Sequence, residues 1–421
     1  MSAPAPSRWF RALLRALGPG IITGAADDDP SGIATYSVAG AQLGTKLLWT
    51  ALLTWPLMAA VQMMCARIGK VTGQGLAANF SQRFPKWLLL LFVFALLAAN
   101  TINIGADLAG MADAASMLSG INSRWFVVAF ALLISWATIR LRYRQIADVL
   151  KWLVLILFAY PITAFVVGAN WSQVLRDTLI PSMPHTKLAW ETLVAILGTT
   201  ISPYLFFWQT SEEVEEEKLA GETSLAKRRG ATPEELELRN IDVGVGAFFS
   251  NTVMFFIILT TAITLNRHGI TNIETSRQAA EALRPFAGNF ATTVFTIGIV
   301  GVGFLAIPTL AGSTAYAFAE TLGWREGLNR KLRQARWFYA LILVSTAVGV
   351  ALDFIGVNPV KALYWTAVIN GLLAPFLSVA ILIVAADKKL MQGQPSSRLG
   401  WIVVAITTIA MFVAGVAMFV V

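Results

Sequence analysis

Long apolar stretches separated by short polar segments run along the whole chain and predict a bundle of membrane-spanning helices. A spanning helix needs about 20 predominantly apolar residues. Eleven stretches approach or exceed that length, and we number them spans 1 to 11. They lie at about 18–43, 46–66, 86–112, 124–140, 147–168, 189–210, 241–265, 289–319, 334–352, 359–386 and 399–420.

Span 1 is interrupted at its middle by Asp27, Asp28, Asp29 and Pro30. A carboxylate at the bilayer centre costs about 2.5 kcal/mol or more, and proline lacks a backbone donor and disfavours helix before it. We therefore predict two half-helices joined by an unwound turn that faces a polar site inside the protein. The alternative is an interfacial loop between two short helices, but residues 18–26 alone are too short to cross a bilayer.

Span 6 has a second interruption, formed by Thr199, Thr200, Ser202 and Pro203. A proline in a single transmembrane helix often produces only a kink. However, span 6 follows span 1 by five spans, and an odd number inverts the second copy relative to the first. Paired interruptions in two inverted halves indicate the midplane binding site of a transporter. We therefore predict two inverted repeats, spans 1–5 and 6–10, with span 11 added.

Most of the 32 lysines and arginines lie in the N-terminal tail and in alternate loops, which predicts a cytoplasmic N-terminus and an external C-terminus. We expect a multi-pass protein of a bacterial-type inner (plasma) membrane. The predicted divisions are a tail (1–17), a first repeat (18–168), an external loop (169–188), a second repeat (189–386) with a cytoplasmic insert (212–240), and a cytoplasmic loop with span 11 (387–421). The glutamate-rich insert is typical of a solvated helix end and loop, with metal sensing as the alternative.

Composition excludes several classes of function. Of 421 residues, 56% are hydrophobic and 13% charged, and the net charge of +8 follows the loops rather than forming a nucleic-acid surface. The single cysteine, Cys65, excludes an intramolecular disulfide, and His185 and His268 fall in predicted loops, which disfavours a histidine zinc site. No phosphate-binding loop or catalytic constellation is present, so we expect no enzyme, no cofactor and no obligate protein partner.

The predicted site offers only oxygen ligands. These are the carboxylate of Asp29, carbonyls of the unwound turns near Ala26 and Thr199, and the hydroxyls of the second break. Hard oxygen ligands suit Mg²⁺, Ca²⁺ or Mn²⁺. The expected partners are therefore a divalent cation, as transported substrate, and the lipid bilayer.

Four stretches resemble the Nramp divalent-metal transporters: GPG…DPSG-IAT-Y-AGAQ-LG in span 1, LMAAVQMMCARIGKVTGQGLA after it, ADLAG in span 3 and LGTTISPY in span 6. The resemblance covers nearly all of spans 1–10 and implies an all-α LeuT-type fold with broken helices 1 and 6. Members of the family bind a transition metal between an Asp-Pro-Gly-Asn motif on helix 1 and an Ala-x-x-Met-Pro-His motif on helix 6, usually with proton coupling.

The first break departs from the family motif after its first two residues. Asp29 and Pro30 match the family's Asp-Pro, whereas Ser31 and Gly32 stand in place of Gly-Asn. The resemblance thus implies that Asp29 is a metal ligand and places Gly32, also counted with the metal site, at the position of the family's Asn.

The second break and span 3 depart further. Thr199 stands for the carbonyl-donating Ala, Ser202 for the Met ligand and Tyr204 for the His. Asp107 matches the first acid of the family's Asp-Leu-Ala-Glu, whereas Gly110 replaces its Glu. Loss of a thioether removes a preference for soft metals, and loss of the His and Glu removes titratable groups that relay protons. The variant resembles the Nramp-related magnesium transporters, which implies Mg²⁺ or Mn²⁺ transport without obligatory proton coupling.

Other polar residues are candidates for the pathway or for support of the site. Asp27 and Asp28 are interpreted as supporting or vestibule charges, with direct ligation as the alternative, and Ser31 is placed with them. For Asp107, a role in the pathway and a structural role in a buried hydrogen bond or ion pair are equally supported. Tyr204 is interpreted as a packing residue with a locally satisfied hydroxyl. Asn370 is a pathway candidate or an interhelical contact.

Three functions remain open from the sequence. The leading one is a secondary transporter that imports a hydrated divalent cation by alternating access. The second is a cation-coupled carrier of an organic or anionic solute, against which the lack of a basic residue at either break weighs. The third is a membrane scaffold or receptor that uses the acidic insert.

Overall fold

A computed structural model describes residues 23–24, 26–141, 145 and 155–421. The described chain is helical and contains no strand. We number its α-helices in chain order: α1 (Pro30–Leu43), α2 (Leu48–Thr72), α3 (Leu76–Arg83), α4 (Lys86–Ser119), α5 (Ser123–Arg140), α6 (Ala159–Val167), α7 (Trp171–Leu179), α8 (Lys187–Thr200), α9 (Pro203–Leu219), α10 (Leu225–Arg228), α11 (Pro233–Thr264), α12 (Ser276–Glu281), α13 (Arg284–Ala287), α14 (Ala291–Leu322), α15 (Arg336–Asp353), α16 (Pro359–Ala386) and α17 (Arg398–Val420).

Each predicted span has a helical segment at its position. Eight segments of the described chain are long and apolar enough to cross a membrane, and one of them joins α1 to α2. The two halves of span 6 and the short segment Ile156–Val167 of span 5 fall outside that count. Residues 1–22, with the predicted tail and the start of span 1, and residues 147–154 of span 5 lie outside the described residues.

Local sequence sets the ends of the broken helices. Asp29 caps α1 with an extended backbone and its side chain accepts from Gly32 N, and Pro30 occupies the first turn, where its missing donor is not needed. Helix α8 ends at Thr200 and α9 begins at Pro203. Between them, the backbone of Ile201 and Ser202 is not helical. Both breaks therefore lie where the prolines predict them.

The helices pack as two intertwined halves. Helix α1 of span 1 packs on α11 of span 7, and α9 of span 6 packs on α2 of span 2. The two contacts are equivalent if spans 1–5 correspond to spans 6–10. Helix α4 packs on α14, α15 and α16, and α16 also contacts α1 and α8. The two breaks are consequently enclosed by helices of both halves.

Glycines allow three pairs of helical segments to approach until their backbones are in contact. A Cβ on Gly24, Gly105, Gly198 or Gly371 would collide with the backbone of the partner helix, and small residues are the usual means of close helix approach in membranes. The three crossings pair Gly24 with Gly246, Gly105 with Gly349 and Gly198 with Gly371.

The acidic insert is buried in its first residues on α9 and largely exposed from residue 219 onward. Helix α9 continues without interruption to Leu219, and Glu213, Glu215 and Glu217 on it are at most 5% exposed. Arg239 of α11 pairs with Glu213 (Nε–Oε1, 3.0 Å), and the same guanidinium also pairs with Glu216 and Asp242. The prediction of a solvated helix end was wrong for these glutamates, because bases from other helices pair with two of them, Lys70 with Glu217 and Arg239 with Glu213.

Further ion pairs extend this cluster. Lys70 of α2 lies 3.5 Å from Glu217 and 3.7 Å from Glu235, and Lys218 lies 2.9 Å from Glu215 and 3.7 Å from Glu326. We call the set formed by Lys70, Glu213, Glu216, Glu217, Arg239 and Asp242 the acidic-end network. It joins α2, α9 and α11.

Candidate functional site

The two helix breaks face each other. A Cβ placed on Gly32, in the first turn of α1, would lie 3.1 Å from Thr199 Oγ1 and 3.3 Å from the carbonyl oxygen of Asp27. Thr199 is in the last turn of α8, and all three residues are buried. The structure therefore brings together the residues that the sequence predicts on the two interrupted spans.

Asp29 lies at the centre of this junction and is 2% exposed. Its Oδ1 accepts from Ser31 Oγ (2.6 Å) and from the backbone N–H of Gly32 (2.7 Å). Its Oδ2 accepts from Asn103 Nδ2 (3.2 Å). All these donors are neutral, and Asp29 forms no ion pair with a residue that the structure describes.

Asn103 of α4 was not predicted from the sequence. Its Nδ2 also donates to Asp107 Oδ2 (3.1 Å), so one amide bridges the acid of the first break and the acid of α4. Its spacing of four residues from Asp107, one helical turn in an apolar span, is the signal that would have indicated it. Asp107 is thus held by a buried hydrogen bond at the edge of the site.

Asp27 and Asp28 share one donor from α11. Ser250 Oγ lies 2.7 Å from Asp27 Oδ2 and 3.2 Å from Asp28 Oδ1. Asp27 Oδ1 and Asp28 Oδ2 are buried without a hydrogen-bond partner among the residues described. Sequence reasoning missed Ser250, because a lone serine in an apolar span carries no distinguishing pattern.

The second break satisfies part of its own backbone. Ser202 Oγ lies 2.7 Å from the carbonyl oxygen of Gly198 and 2.8 Å from that of Thr199, and one proton serves both carbonyls. Thr199 Oγ1 has no hydrogen-bond partner within the described chain. A carbonyl oxygen has two lone pairs, so the Thr199 carbonyl retains capacity for a further partner.

Tyr204 connects the two breaks directly. Its hydroxyl donates to the carbonyl oxygen of Ala26 (3.0 Å), on the opposite side of the site. The expectation that this hydroxyl is satisfied locally was wrong, since its partner is 178 positions away in sequence. The tyrosine therefore positions the Ala26 carbonyl as well as packing in the core.

The space beside Gly110 is occupied by a side chain of the neighbouring helix. A Cβ at Gly110 would lie 2.8 Å from Leu363 Cδ1 of α16, and Leu363 packs with Ala34 and Ala106 in a small apolar cluster. An acidic side chain at this position would have to displace Leu363. Asn370, two turns further along α16, is buried, and no hydrogen bond within the described chain joins it to either break.

The donors at the junction are of mixed type. Within the described residues, no group of three or more His, Cys, Asp or Glu side chains is arranged to hold a metal. The available oxygens instead come from one carboxylate, Asp29, and from carbonyl, hydroxyl and amide groups around it. Such a donor set is hard and weakly charged.

Two facing broken helices inside a polytopic helical bundle are the features of a LeuT-type fold, and solved structures similar in shape agree. The crystal structure of the Eremococcus coleocola manganese transporter, in complex with an aromatic bis-isothiourea substituted compound, matches with a TM-score of 0.79 and 18% identity, over 99% of this chain and 89% of that one. Mhp1, a nucleobase-cation-symport-1 family transporter, matches with a TM-score of 0.62 and 13% identity, over 96% and 90% of the two chains. These similarities confirm the predicted fold.

The family model described as natural resistance-associated macrophage protein-like (Nramp) matches residues 20–421, and the chain belongs to this family. A divalent metal cation transporter MntH of Caldanaerobacter subterraneus subsp. tengcongensis is 28% identical over 418 residues, which is 94% of this chain and 91% of that protein. The MntH of Yersinia enterocolitica is 26% identical over 411 residues, 94% and 92% of the two chains.

The predicted family is therefore confirmed. Members of the Nramp family are transporters rather than enzymes, and a divalent metal is their substrate rather than their cofactor. The chain is accordingly a multi-pass membrane transporter.

Proposed function

We propose that this transporter imports a partly hydrated divalent cation, Mg²⁺ or Mn²⁺, by alternating access around Asp29, without obligatory proton coupling. The observation that carries the proposal is the buried Asp29 carboxylate at the junction of the two breaks, which has neutral donors as its described partners. An uncompensated buried charge costs several kcal/mol. A cation arriving from solution supplies the missing charge.

The proposed ligands are the Asp29 carboxylate, the carbonyls of Ala26 and Thr199, and the Ser202 hydroxyl, with Gly32 next to them. Mg²⁺ binds oxygen ligands and tends to retain several waters. Gly32 lets the two breaks approach closely, since a Cβ there would lie 3.1 Å from Thr199 Oγ1. The lack of a thioether at Ser202 removes a ligand suited to soft metals. Asp27, Asp28, Ser31, Tyr204, Asp107 and Asn370 are proposed to line or support the pathway.

Two residues support transport without proton coupling. Gly110 carries no acid, and Leu363 occupies the space such an acid would use. Tyr204 presents a hydroxyl that donates to Ala26 rather than an imidazole that titrates near neutral pH. The proposed pathway thus lacks two groups that would relay protons.

The arrangement of basic loops supports a cytoplasmic N-terminus in a bacterial inner membrane. An inside-negative potential contributes about 4.6 kcal/mol per 100 mV to entry of a double charge, at roughly 2.3 kcal/mol per unit charge. Rocking of spans 1, 2, 6 and 7 against the remaining spans would expose Asp29 alternately to the two sides. Import then needs no second energy source.

The test is uptake into proteoliposomes that contain Mg²⁺- and Mn²⁺-sensitive dyes and a pH dye, under an imposed negative potential. We expect Mg²⁺ or Mn²⁺ entry without acidification, and entry at the rate of protein-free liposomes in Asp29→Asn. Metal entry that always acidifies the lumen would contradict the uncoupled mechanism. Absence of metal entry would favour the carrier of an organic or anionic solute on the same fold.

A further inference from the structure

We infer that Asn103 of α4 is a ligand of the transported cation and binds it through its amide oxygen. The inference rests on the proposed function of the site. It concerns a divalent cation that prefers hard oxygen ligands, and it assigns one ligand to a helix that contains neither break.

The first step concerns which oxygen of Asp29 a cation can approach. Asp29 Oδ1 already accepts from Ser31 Oγ and from Gly32 N, and these two donors use its two lone pairs. Asp29 Oδ2 accepts from Asn103 Nδ2 at 3.2 Å. A cation that binds Asp29 therefore approaches Oδ2 and meets the Asn103 amide there.

The second step concerns the orientation of that amide. In the structure the Asn103 NH₂ group lies between two carboxylates, Asp29 Oδ2 and Asp107 Oδ2, and its two hydrogens serve one acid each. These hydrogens carry positive partial charge and would repel a cation at the same place. For the amide oxygen to face a cation at Asp29 Oδ2, the amide must therefore rotate from this orientation.

Rotation by 180° about the terminal torsion exchanges Nδ2 for Oδ1. Such terminal torsions are broad and roughly two-fold. Asn103 is fully buried, and Oδ1 has no hydrogen-bond partner among the described residues, so the rotation breaks no bond on the oxygen side. After rotation the amide oxygen and Asp29 Oδ2 face the cation together, with Asp107 released to do the same.

A neighbouring asparagine provides a matched control. Asn100 lies one turn earlier on α4 and is also buried, but its Nδ2 donates to the Leu310 carbonyl and to the hydroxyls of Ser313 and Thr314 on α14. No carboxylate accepts from it in these contacts. Asn100 therefore joins two helices, whereas the Asn103 amide faces two acids.

The experiment measures Mg²⁺ and Mn²⁺ binding by isothermal titration to the purified full chain, with thermal denaturation as the check on folding. We expect Asn103→Leu to weaken binding on the order of 10- to 100-fold, the usual effect of removing a group close to a metal. Asn103→Asp, which keeps an oxygen, should bind far better than Asn103→Leu. Asn100→Leu should lower the denaturation temperature and leave affinity unchanged.

A spectroscopic measurement separates ligation from positioning. Mn²⁺ bound to protein labelled with ¹³C in the asparagine carboxamide should show a ¹³C hyperfine coupling by electron–nuclear double resonance, and Asn103→Asp should lose it. A coupling that persists in Asn103→Asp, or is absent from the unsubstituted protein, overturns the inference. Binding that is unaffected by Asp29→Asn contradicts the proposed site itself, whereas loss in Asp29→Asn with full affinity in Asn103→Leu overturns only the role of Asn103.

Discussion

Two groups of acids in this molecule differ in whether their partners are charged or neutral. In the acidic-end network, Arg239 contacts three carboxylates and Lys70 contacts that of Glu217. At the junction of the breaks, the carboxylates of Asp27, Asp28, Asp29 and Asp107 accept from Ser250, Ser31, Asn103 and a backbone N–H. The first group holds its counter-charges permanently, and the second has neutral donors in the described structure.

This difference in partners fits a structural role for the acidic-end network and a transport role for the acids of the junction. A fixed ion pair inside a protein roughly balances desolvation against Coulomb attraction, whereas a buried acid without a counter-charge is costly. The acids of the junction therefore retain an electrostatic demand that a mobile cation can satisfy and then release. A lysine or arginine at the junction would satisfy that demand permanently and compete with the cargo.

The largest expected effect is that of Asp29→Asn. Asparagine still accepts from Gly32 N and remains a good N-cap, so the fold should persist while the charge that attracts the cation is lost. We expect uptake to fall to the rate of protein-free liposomes, with a denaturation temperature equal to or above that of the unsubstituted protein. Uptake at the normal rate would show that the neutral environment of Asp29 has no transport role.

Arg239→Ala should produce the reverse result. Removing one partner of a buried ion pair costs about 3–5 kcal/mol, because Glu213 and Asp242 remain buried with less compensation. Thermal denaturation in detergent should show a large loss of stability, and Mg²⁺ affinity of the folded fraction should not change. The double variant Arg239→Ala with Glu213→Gln should recover part of the lost stability. If the stability changes of the two single variants simply add, Arg239 and Glu213 are not directly coupled.

Gly110→Glu adds an acid to the group that lacks counter-charges. The new side chain meets Leu363 at once, and overpacking typically costs about 1–3 kcal/mol. We expect lower stability, partly restored by Leu363→Ala. In the double variant, dye measurements should show whether an added acid at this position makes metal entry acidify the lumen; stability unchanged by Gly110→Glu alone would contradict the tight contact.

Arg284→Ala should have the smallest effect. Arg284 pairs with Glu281 at 3.0 Å, but the two side chains are 66% and 39% exposed, and exposed pairs contribute about 0–1 kcal/mol. Denaturation temperature and uptake should both stay close to the values of the unsubstituted protein. A loss comparable to that of Arg239→Ala would show that burial does not distinguish the two ion pairs.

The sequence predicts the breaks well because prolines and polar runs in apolar spans are local signals. Pro30 and Pro203 open helices where expected, and Asp29 lies at the junction of the breaks. The inverted repeats were predicted from the same signals, since two interruptions lie five spans apart, whereas the LeuT type was implied by the resemblance to the Nramp family.

The partners of the acids could not be predicted because they come from other helices. Asn103 and Ser250 are single polar residues in apolar spans, and only packing places them on Asp29, Asp27 and Asp28. The same limitation made the acidic insert look solvated, since Arg239 and Lys70 reach its glutamates from α11 and α2.

The three glycine crossings divide the molecule mechanically. Gly24 with Gly246 joins spans 1 and 7, both in the set proposed to rock, and Gly105 with Gly349 joins spans 3 and 9, both in the set that stays. Gly198 with Gly371 joins span 6 to span 10 and so crosses the boundary between the sets. In the proposed rocking motion, this third crossing would therefore be the pivot, and the displacement would grow toward the far end of α9, which carries the acidic-end network.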